Sequence, residues 1–231
     1  MRKTPYLHFG EVEIDPYLKL RLETMVRMVS GKIRPGITIL EIGCYTANLL
    51  DFLPKEVKYY GIDFDDGAIE IARKRGAKVI KIDFDQQEIN LDMKFDVVVC
   101  CEVLEYVLEP HKLMRKITNL VKDDGYLLFS LPNENTLYHR LVSLIGVGID
   151  MYAFELYKHL HLPTISQSRN FVSKYFKIIK EDYHINPSAK GSRIEWMGNF
   201  LTLLPKTFWL ILARCFPGLF ARGVIFLCKP K

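Results

Sequence analysis

Strand-like apolar runs alternating with helical patterns predict an α/β fold, a doubly wound and mostly parallel sheet with helices on both faces. Three observations carry this expectation. The run Thr38-Ile39-Leu40-Glu41-Ile42 ends at Gly43, and a second run ends at Gly61-Ile62-Asp63 about 20 residues later, near the spacing of a nucleotide-binding unit. Strand patterns near 38–42, 57–62, 78–83, 96–100 and 126–131 alternate with helical patterns near 47–53, 67–75 and 111–121. Gly76 and Gly125 follow two of the helical patterns, where a residue of positive φ ends a helix.

The elements follow in order. Asp15-Pro16 supplies an N-cap acid and a proline at the first helical position, and Leu18, Leu22, Met25, Val26 and Val29 continue at helical spacing. After Asn133 the alternation gives way to an irregular, aromatic-rich insertion, Glu134 to Pro163, carrying Tyr138, His139, Tyr152, Phe154, Tyr157, His159 and His161. This segment is expected to form a lid or a substrate wall. Thr164 and Gln167 form a capping-box pair opening a helix over 164–175. An alternating strand spans Phe176 to Tyr183, the clearest flexible loop covers 186–192, and Val224 to Lys229 is a last apolar strand.

The first turn limits the ligand. A dinucleotide site needs G-x-G-x-x-G, so that backbone can approach a pyrophosphate and helix can pack on strand. Here Gly43 stands alone, with Tyr45 two residues and Ala47 four residues later. Glu41 precedes the turn, and no Lys or Arg lies between Thr38 and Leu50. An acidic turn suits a cofactor bearing an ammonium and a sulfonium, as S-adenosylmethionine does, with Asp63 accepting from the ribose hydroxyls.

At these residues the chain resembles the class I S-adenosylmethionine-dependent methyltransferases, over roughly residues 37–135. Asp63-Phe64-Asp65 looks like the family's ribose-binding acid and its neighbours, and Ile82-Asp83-Phe84 like its adenine-edge segment. The run Phe95 to Val107, with Cys101, Glu102 and Tyr106, is similar to the fourth strand and the loop below the cofactor, and Gly125 to Asn133 to the fifth strand. The resemblance implies a Rossmann-like sheet of seven strands, the last antiparallel, with S-adenosylmethionine as cofactor and S-adenosylhomocysteine as product. It assigns Glu41, Gly43, Cys44, Tyr45, Asp63, Phe64, Asp83, Phe84, Cys101, Glu102 and Tyr106 to the cofactor. Asn133, His139, Tyr157, His159 and His161 fall to the acceptor, with His139 and His161 as candidate general bases. Two departures stand out: Tyr45 and Ala47 occupy positions where the family carries glycine, and Tyr106 stands where relatives usually have His.

Bulk properties narrow the rest. The 231 residues fit one domain, divided into an N-terminal helical part (1–36), a cofactor-binding core (37–133), the insertion (134–163) and a C-terminal part (164–231). Five cysteines without a C-x-x-C spacing suggest neither disulfides nor zinc, and the nearby acids show no metal-ligand spacing. The opening residues lack the apolar stretch of a signal peptide, which places the protein in the cytoplasm as an expectation. Net charge is +5, yet residues 1–155 hold 20 basic and 24 acidic side chains, whereas 156–231 hold 12 and 3. Within that basic part the apolar residues of 196–222 read first as helices covering the sheet edge, and second as a peripheral membrane contact.

The function expected is methyl transfer to a small-molecule, lipid, quinone-like or sugar-derived acceptor. Two alternatives remain: a non-catalytic binding protein on the same fold, and a nucleic-acid methyltransferase. Cys101-Glu102-Val103-Leu104 after the fourth strand argues against the second, because enzymes acting on exocyclic amines carry an Asn/Asp-Pro-Pro-aromatic loop there.

Overall fold

The computed structural model describes residues 16–146, 159–185 and 205–231. Asp15, Tyr152, Phe154, Tyr157, the loop 186–192 and the apolar residues 196–204 lie outside the described residues.

Helix α1 (Pro16–Val29) precedes strand β1 (Thr38–Ile42). Strand β2 (Lys58–Asp63), helix α2 (Asp66–Lys74), strand β3 (Lys78–Lys81), strand β4 (Phe95–Cys101), helix α3 (Pro110–Leu120) and strand β5 (Val121–Pro132) complete the first half. Helices α4 (Leu137–Leu144) and α5 (Ile165–Val172) precede strand β6 (Phe176–His184). Helices α6 (Lys206–Cys215) and α7 (Pro217–Phe220) then lead to strand β7 (Gly223–Pro230).

The seven strands form one sheet in the order β3-β2-β1-β4-β5-β7-β6. Strands β1 to β5 pair in parallel, and β7 runs antiparallel to both β5 and β6. The chain order reverses between β1 and β4, and open α/β sheets bind ligands at that point beyond the carboxyl ends of the strands.

Strand alternation builds two cores. Leu40, Ile42, Val98, Cys100 and Phe129 face one side, covered by Leu113, Met114 and Ile117 of α3 and by Ile165 and Val172 of α5. Ile39, Val97, Val99 and Leu128 face the other, covered by Leu22, Met25 and Met28 of α1 and by Ile69 and Ala72 of α2.

Local signals explain most boundaries. The Asp65 carboxylate accepts from the Ala68 N–H at 2.8 Å and caps α2, while Thr164 and Gln167 complete the reciprocal capping box of α5. Gly76 is left-handed, with φ of 90°.

Three expectations are corrected. The helical pattern near 47–53 is a 3-10 segment, Asn48–Phe52, because its N-cap Ala47 is left-handed at φ of 56° and the segment is too short to become an α-helix. Gly125 does not end a helix with positive φ; it lies within β5, where a Cβ would come within 3.0 Å of the carbonyl oxygens of Asp96 and Lys122. The insertion after Asn133 is not wholly irregular. It contains α4, whose buried residues are His139 and Val142 and whose leucines face outward, a pattern that apolar periodicity does not reveal.

Candidate functional site

The first turn folds tightly under β2. The N–H groups of Gly43 and Cys44 donate to the Ile62 carbonyl at 2.8 and 3.0 Å, which sets the loop against the end of β2. Gly43 has φ of 71°, and a Cβ there would meet Val103 Cγ2 at 2.4 Å. Hence the turns after β1 and β4 lie in direct contact. Tyr45 and Ala47 also take left-handed backbone, with φ of 47° and 56°, as does Glu102 at 55°. Left-handed backbone costs a residue with a Cβ about 1–2 kcal/mol, and such residues gather at ligand sites. All three non-glycine examples among the described residues border the two contacting turns.

Asp63 closes β2 and organises the site. Its Oδ2 accepts from the Tyr45 N–H at 2.7 Å, and its Oδ1 accepts from the N–H groups of Phe64 and Asp65 at 2.8 and 3.0 Å. Burial raises its pKa above the ordinary carboxyl value, against those three hydrogen bonds. Lone pairs remain for further donors, and Phe64 beside it is 39% exposed.

Glu41 lies one strand across, buried and accepting a hydrogen bond from the Tyr59 hydroxyl. Burial pushes its pKa up to about 8, although that hydrogen bond and the charge of Arg21 pull the other way. The Cys44 thiol is also raised by burial and by the charges of Glu41 and Asp63. A Cβ on Gly61 would lie 2.6 Å from Cys44 Sγ, so the missing side chain at Gly61 is what admits the thiol.

The Asp83-Phe84 segment meets both turns. The Ile82 N–H donates to the Asp63 carbonyl at 2.9 Å, and Asp83 Oδ1 accepts from the Asp85 N–H at 3.1 Å. Asp85 in turn accepts from the Leu108 N–H at 2.9 Å, tying this segment to the turn after β4.

In that turn, Glu102 accepts from Ser130 Oγ at 3.1 Å and pairs with Arg21 of α1 at 3.4 Å. Cys101 is half-buried at the end of β4, and burial raises its thiol to about 12. Glu105 is fully buried, and neither carboxylate oxygen has a hydrogen-bond partner among the described residues, so burial holds its pKa well above the ordinary range. Its carbonyl accepts from the N–H groups of Leu160 and His161 at 2.6 and 3.2 Å, laying the histidine segment along Glu105-Tyr106-Val107.

That contact assembles a polar cluster. Tyr106 Oη and His159 Nε2 are 3.0 Å apart, and His159 Nδ1 lies 3.2 Å from Glu134 Oε1. The other Glu134 oxygen pairs with Arg222 at 3.2 Å and lies 3.6 Å from His139 Nε2. His139 is buried, with Nδ1 against Thr136 Oγ1 at 3.0 Å and Nε2 against Arg222 Nη1 at 3.1 Å. Burial and the Arg222 charge lower its pKa. His161 Nε2 donates to the Val107 carbonyl at 2.9 Å, and the ring borders a cavity of about 720 Å³ between α3 and α5. Asn133 is fully buried, and its amide donates to the Ala221 carbonyl at 2.8 Å.

The expected cofactor residues therefore converge on the contacting turns after β1, β2 and β4, with Asp83 and Phe84 alongside. His139 and His159 share Glu134, whereas His161 turns away towards α3 and α5. Sequence reasoning passed over Tyr59, Glu105, Glu134 and Arg222. Only Glu134 carried a local signal, an acid two residues after the end of β5; Arg222 reaches it across 88 residues.

The acidic turn, the contacting loops and the ribose-type acid have a counterpart among known proteins. A family profile described as "Methyltransferase domain" matches residues 14–175, well over half of the chain. The chain belongs to the methyltransferase-domain family. Its family is that of the class I S-adenosylmethionine-dependent methyltransferases. Among relatives, a malonyl-[acyl-carrier protein] O-methyltransferase of Calditerrivibrio nitroreducens is 27% identical over 146 residues, covering 63% of this chain and 54% of that relative. A ubiquinone biosynthesis O-methyltransferase of Yersinia enterocolitica is 30% identical over 124 residues, covering 51% of this chain and 50% of that relative. This methyltransferase-domain chain thus spans about half the length of these curated relatives. Of solved structures, the magnesium protoporphyrin IX methyltransferase of Synechocystis PCC 6803 with bound S-adenosylhomocysteine aligns at a TM-score of 0.62 and 15% identity, covering 96% of this chain and 90% of that one. The N-methyltransferase NodS of Bradyrhizobium japonicum, also with S-adenosylhomocysteine, aligns at 0.61 and 14% identity over 94% of this chain and 89% of its own. Both establish likeness of fold.

The residues present fit the family's cofactor. Two buried acids face one turn, that turn has no basic residue to favour a pyrophosphate, and Asp63 keeps acceptor capacity beyond its backbone donors.

Proposed function

We propose that this protein transfers a methyl group from S-adenosylmethionine to an oxygen of a small-molecule or lipid-like acceptor. The observation that carries the reading is the placing of buried Glu41 and Asp63 at the ends of β1 and β2 beside the turn Gly43-Cys44-Tyr45, whose Gly43 and Tyr45 are left-handed, within a chain of this family. The cofactor supplies an electrophilic methyl on a positively charged sulfur. Asp63 holds the ribose hydroxyls, Glu41 faces the cationic end, and Asp83 with Phe84 borders the adenine. Gly43, Cys44, Tyr45 and Phe64 line the cradle, and Cys101, Glu102 and Tyr106 form its floor. Asn133 and the histidines at 139, 159 and 161 belong to the acceptor side. Such a site works chiefly by proximity and orientation. An oxygen acceptor is favoured because the two relatives named above are O-methyltransferases.

Calorimetric titration with S-adenosylmethionine, with NAD as control, tests this. Saturable binding of the former alone supports the reading. Binding of NAD, or of neither compound, overturns it.

A membrane-dissolved acceptor is also part of the proposal. On α4, Leu137, Leu141, Leu144 and Ile145 are exposed, as are Phe208, Ile211 and Phe216 on and beside α6. Helices α4 and α7 are in contact, and residues 205–222 hold Lys206, Arg214 and Arg222 without an acid. Apolar rows flanked by cations suit an anionic lipid surface. No helix among the described residues is long and apolar enough to cross a membrane.

A further inference from the structure

The turn after β4 and the segment ahead of α5 bring a phenol, an imidazole and a carboxylate into one line. Tyr106 Oη to His159 Nε2 is 3.0 Å, and the two rings meet edge to face at 4.9 Å. His159 Nδ1 to Glu134 Oε1 is 3.2 Å. Tyr106 lies at the exposed end of this line, and Glu134 at the buried end.

The chemistry of each group fixes a direction. Burial would neutralise Glu134, but His159, Arg222 and His139 outweigh it and hold its pKa below the ordinary value. An ionised Glu134 is an acceptor only, so His159 Nδ1 carries the proton that points to it. His159 Nε2 then presents a lone pair, which Tyr106 Oη fills as donor. The histidines at 139 and 161 are disposed differently. His139 Nε2 receives the Arg222 guanidinium at 3.1 Å, so its lone pair is occupied. His161 spends its Nε2 proton on the Val107 carbonyl.

We infer that Tyr106, His159 and Glu134 form the proton-accepting chain for a hydroxyl acceptor: Tyr106 meets the acceptor, His159 receives the proton, and Glu134 is the positioning residue. This rests on the methyl-transfer reading above. The acceptor hydroxyl gives its proton to Tyr106 Oη as the Tyr106 proton moves to His159 Nε2. The electron pair left on the acceptor oxygen forms the new bond to the methyl carbon, and the pair of the broken carbon–sulfur bond stays on sulfur. His159 becomes a cation beside an anion, and releases its proton to water after transfer. Arg222, on the second oxygen of Glu134, keeps that anion charged without touching the acceptor.

The test has two arms on the full chain. In the first, histidine ¹⁵N spectra with S-adenosylhomocysteine present are assigned through His159→Gln. The chain requires His159 to carry its proton on Nδ1 above neutral pH. Tyr106→Phe must shift the Nε2 resonance, and Glu134→Gln must mix the two tautomers. A His159 protonated on Nε2, or an Nε2 resonance indifferent to Tyr106→Phe, overturns the inference. This arm needs no turnover, so it decides the chain even if the methyl-transfer reading fails.

In the second arm, S-adenosylhomocysteine release is followed with 3,4-dihydroxybenzoate and a hydroxylated quinol as probes. Tyr106→Phe and His159→Gln are expected to lower kcat about 100-fold, the usual scale for a lost acid–base group, with cofactor affinity unchanged in His159→Gln. Glu134→Gln is expected to move the acid limb of the pH profile to lower pH. The charged and titratable groups around His159 among the described residues are Tyr106, Glu134, Arg222, His139 and buried Glu105. A kcat within about threefold of the parent in His159→Gln overturns the inference. Loss of cofactor binding in the parent overturns the methyl-transfer reading instead.

Discussion

The Tyr45 N–H donates to Asp63 Oδ2 at 2.7 Å, so one carboxylate anchors the turn after β1 while ending β2. The same group that would hold the ribose therefore shapes the loop beside it. Asp63→Ala strands three backbone donors, at a cost of about 1–3 kcal/mol each where water cannot reach them. The expected result is a lower melting temperature together with a fall of at least about tenfold in S-adenosylmethionine affinity. Equal affinity in calorimetry would remove Asp63 from the cofactor site.

Tyr45→Gly and Ala47→Gly relieve left-handed backbone worth about 1–2 kcal/mol per residue, offset in part by the freedom glycine adds to the unfolded chain. Because Ala47 is fully buried, its methyl packing is lost as well. The double variant is expected to bind S-adenosylmethionine more tightly with little change in melting temperature. Weaker binding would mean that the tyrosine ring contributes to the cradle.

Glu41 gives the stability of the protein a pH dependence of unusual sign. Its folded pKa of about 8 lies above the ordinary 4.5, so between those values the folded state binds more protons than the unfolded state. Stability contributed by the protonated acid is full below the ordinary value and is lost as pH rises through the folded pKa, with a slope of up to about 1.4 kcal/mol per pH unit. Glu41→Gln removes that slope. Chemical denaturation at about pH 5 and about pH 8 should show the variant gaining on the parent at the higher pH. A cationic ligand would ionise Glu41, so binding near neutral pH should release protons, measurable by calorimetry in buffers of different ionisation enthalpy.

Gly61→Ala drives a methyl to 2.6 Å from Cys44 Sγ and should cost about 1–3 kcal/mol, the range for overpacking. Cys44→Ala in the same chain should recover most of that loss. A double-mutant cycle of denaturation midpoints measures the coupling, and simple additivity would contradict the contact.

Leu144→Glu with Ile211→Glu places charge in both exposed apolar rows, which are 82% and 60% exposed at those positions, so stability should hold within about 0.5 kcal/mol. Co-sedimentation of the parent with phosphatidylserine vesicles, weakened by salt and by the double variant, is the expected result. Equal retention on neutral vesicles, or none on either, would remove the lipid-surface proposal.

What the sequence made legible follows from what acts locally. Strands buried on both faces read as continuous apolar runs, and β1, β2 and β4 fell within a residue or so of expectation. The capping box of α5 involves side chains three residues apart, so it too could be read. Helix α4 could not, because Leu137, Leu141 and Leu144 point to solvent while His139 points inward to Glu134 and Arg222. The cofactor side of the candidate site lies on consecutive strand ends and was visible. The Tyr106, His159 and Glu134 line joins three separate segments, and only the folded contact of Glu105 with Leu160 and His161 brings them together.

Strand β7 pairs with β5 on one side and β6 on the other, although it follows both in the chain. As an order of assembly, this makes it a keystone: among the described strands, β6 has no neighbour until β7 has docked. Arg222, the residue directly before β7, reaches Glu134 in the same closing event, so sheet completion and the charge balance around His159 arrive together. Pairings of such long sequence separation form late and slowly, which exposes two unpaired strand edges while the cofactor half of the sheet can already exist.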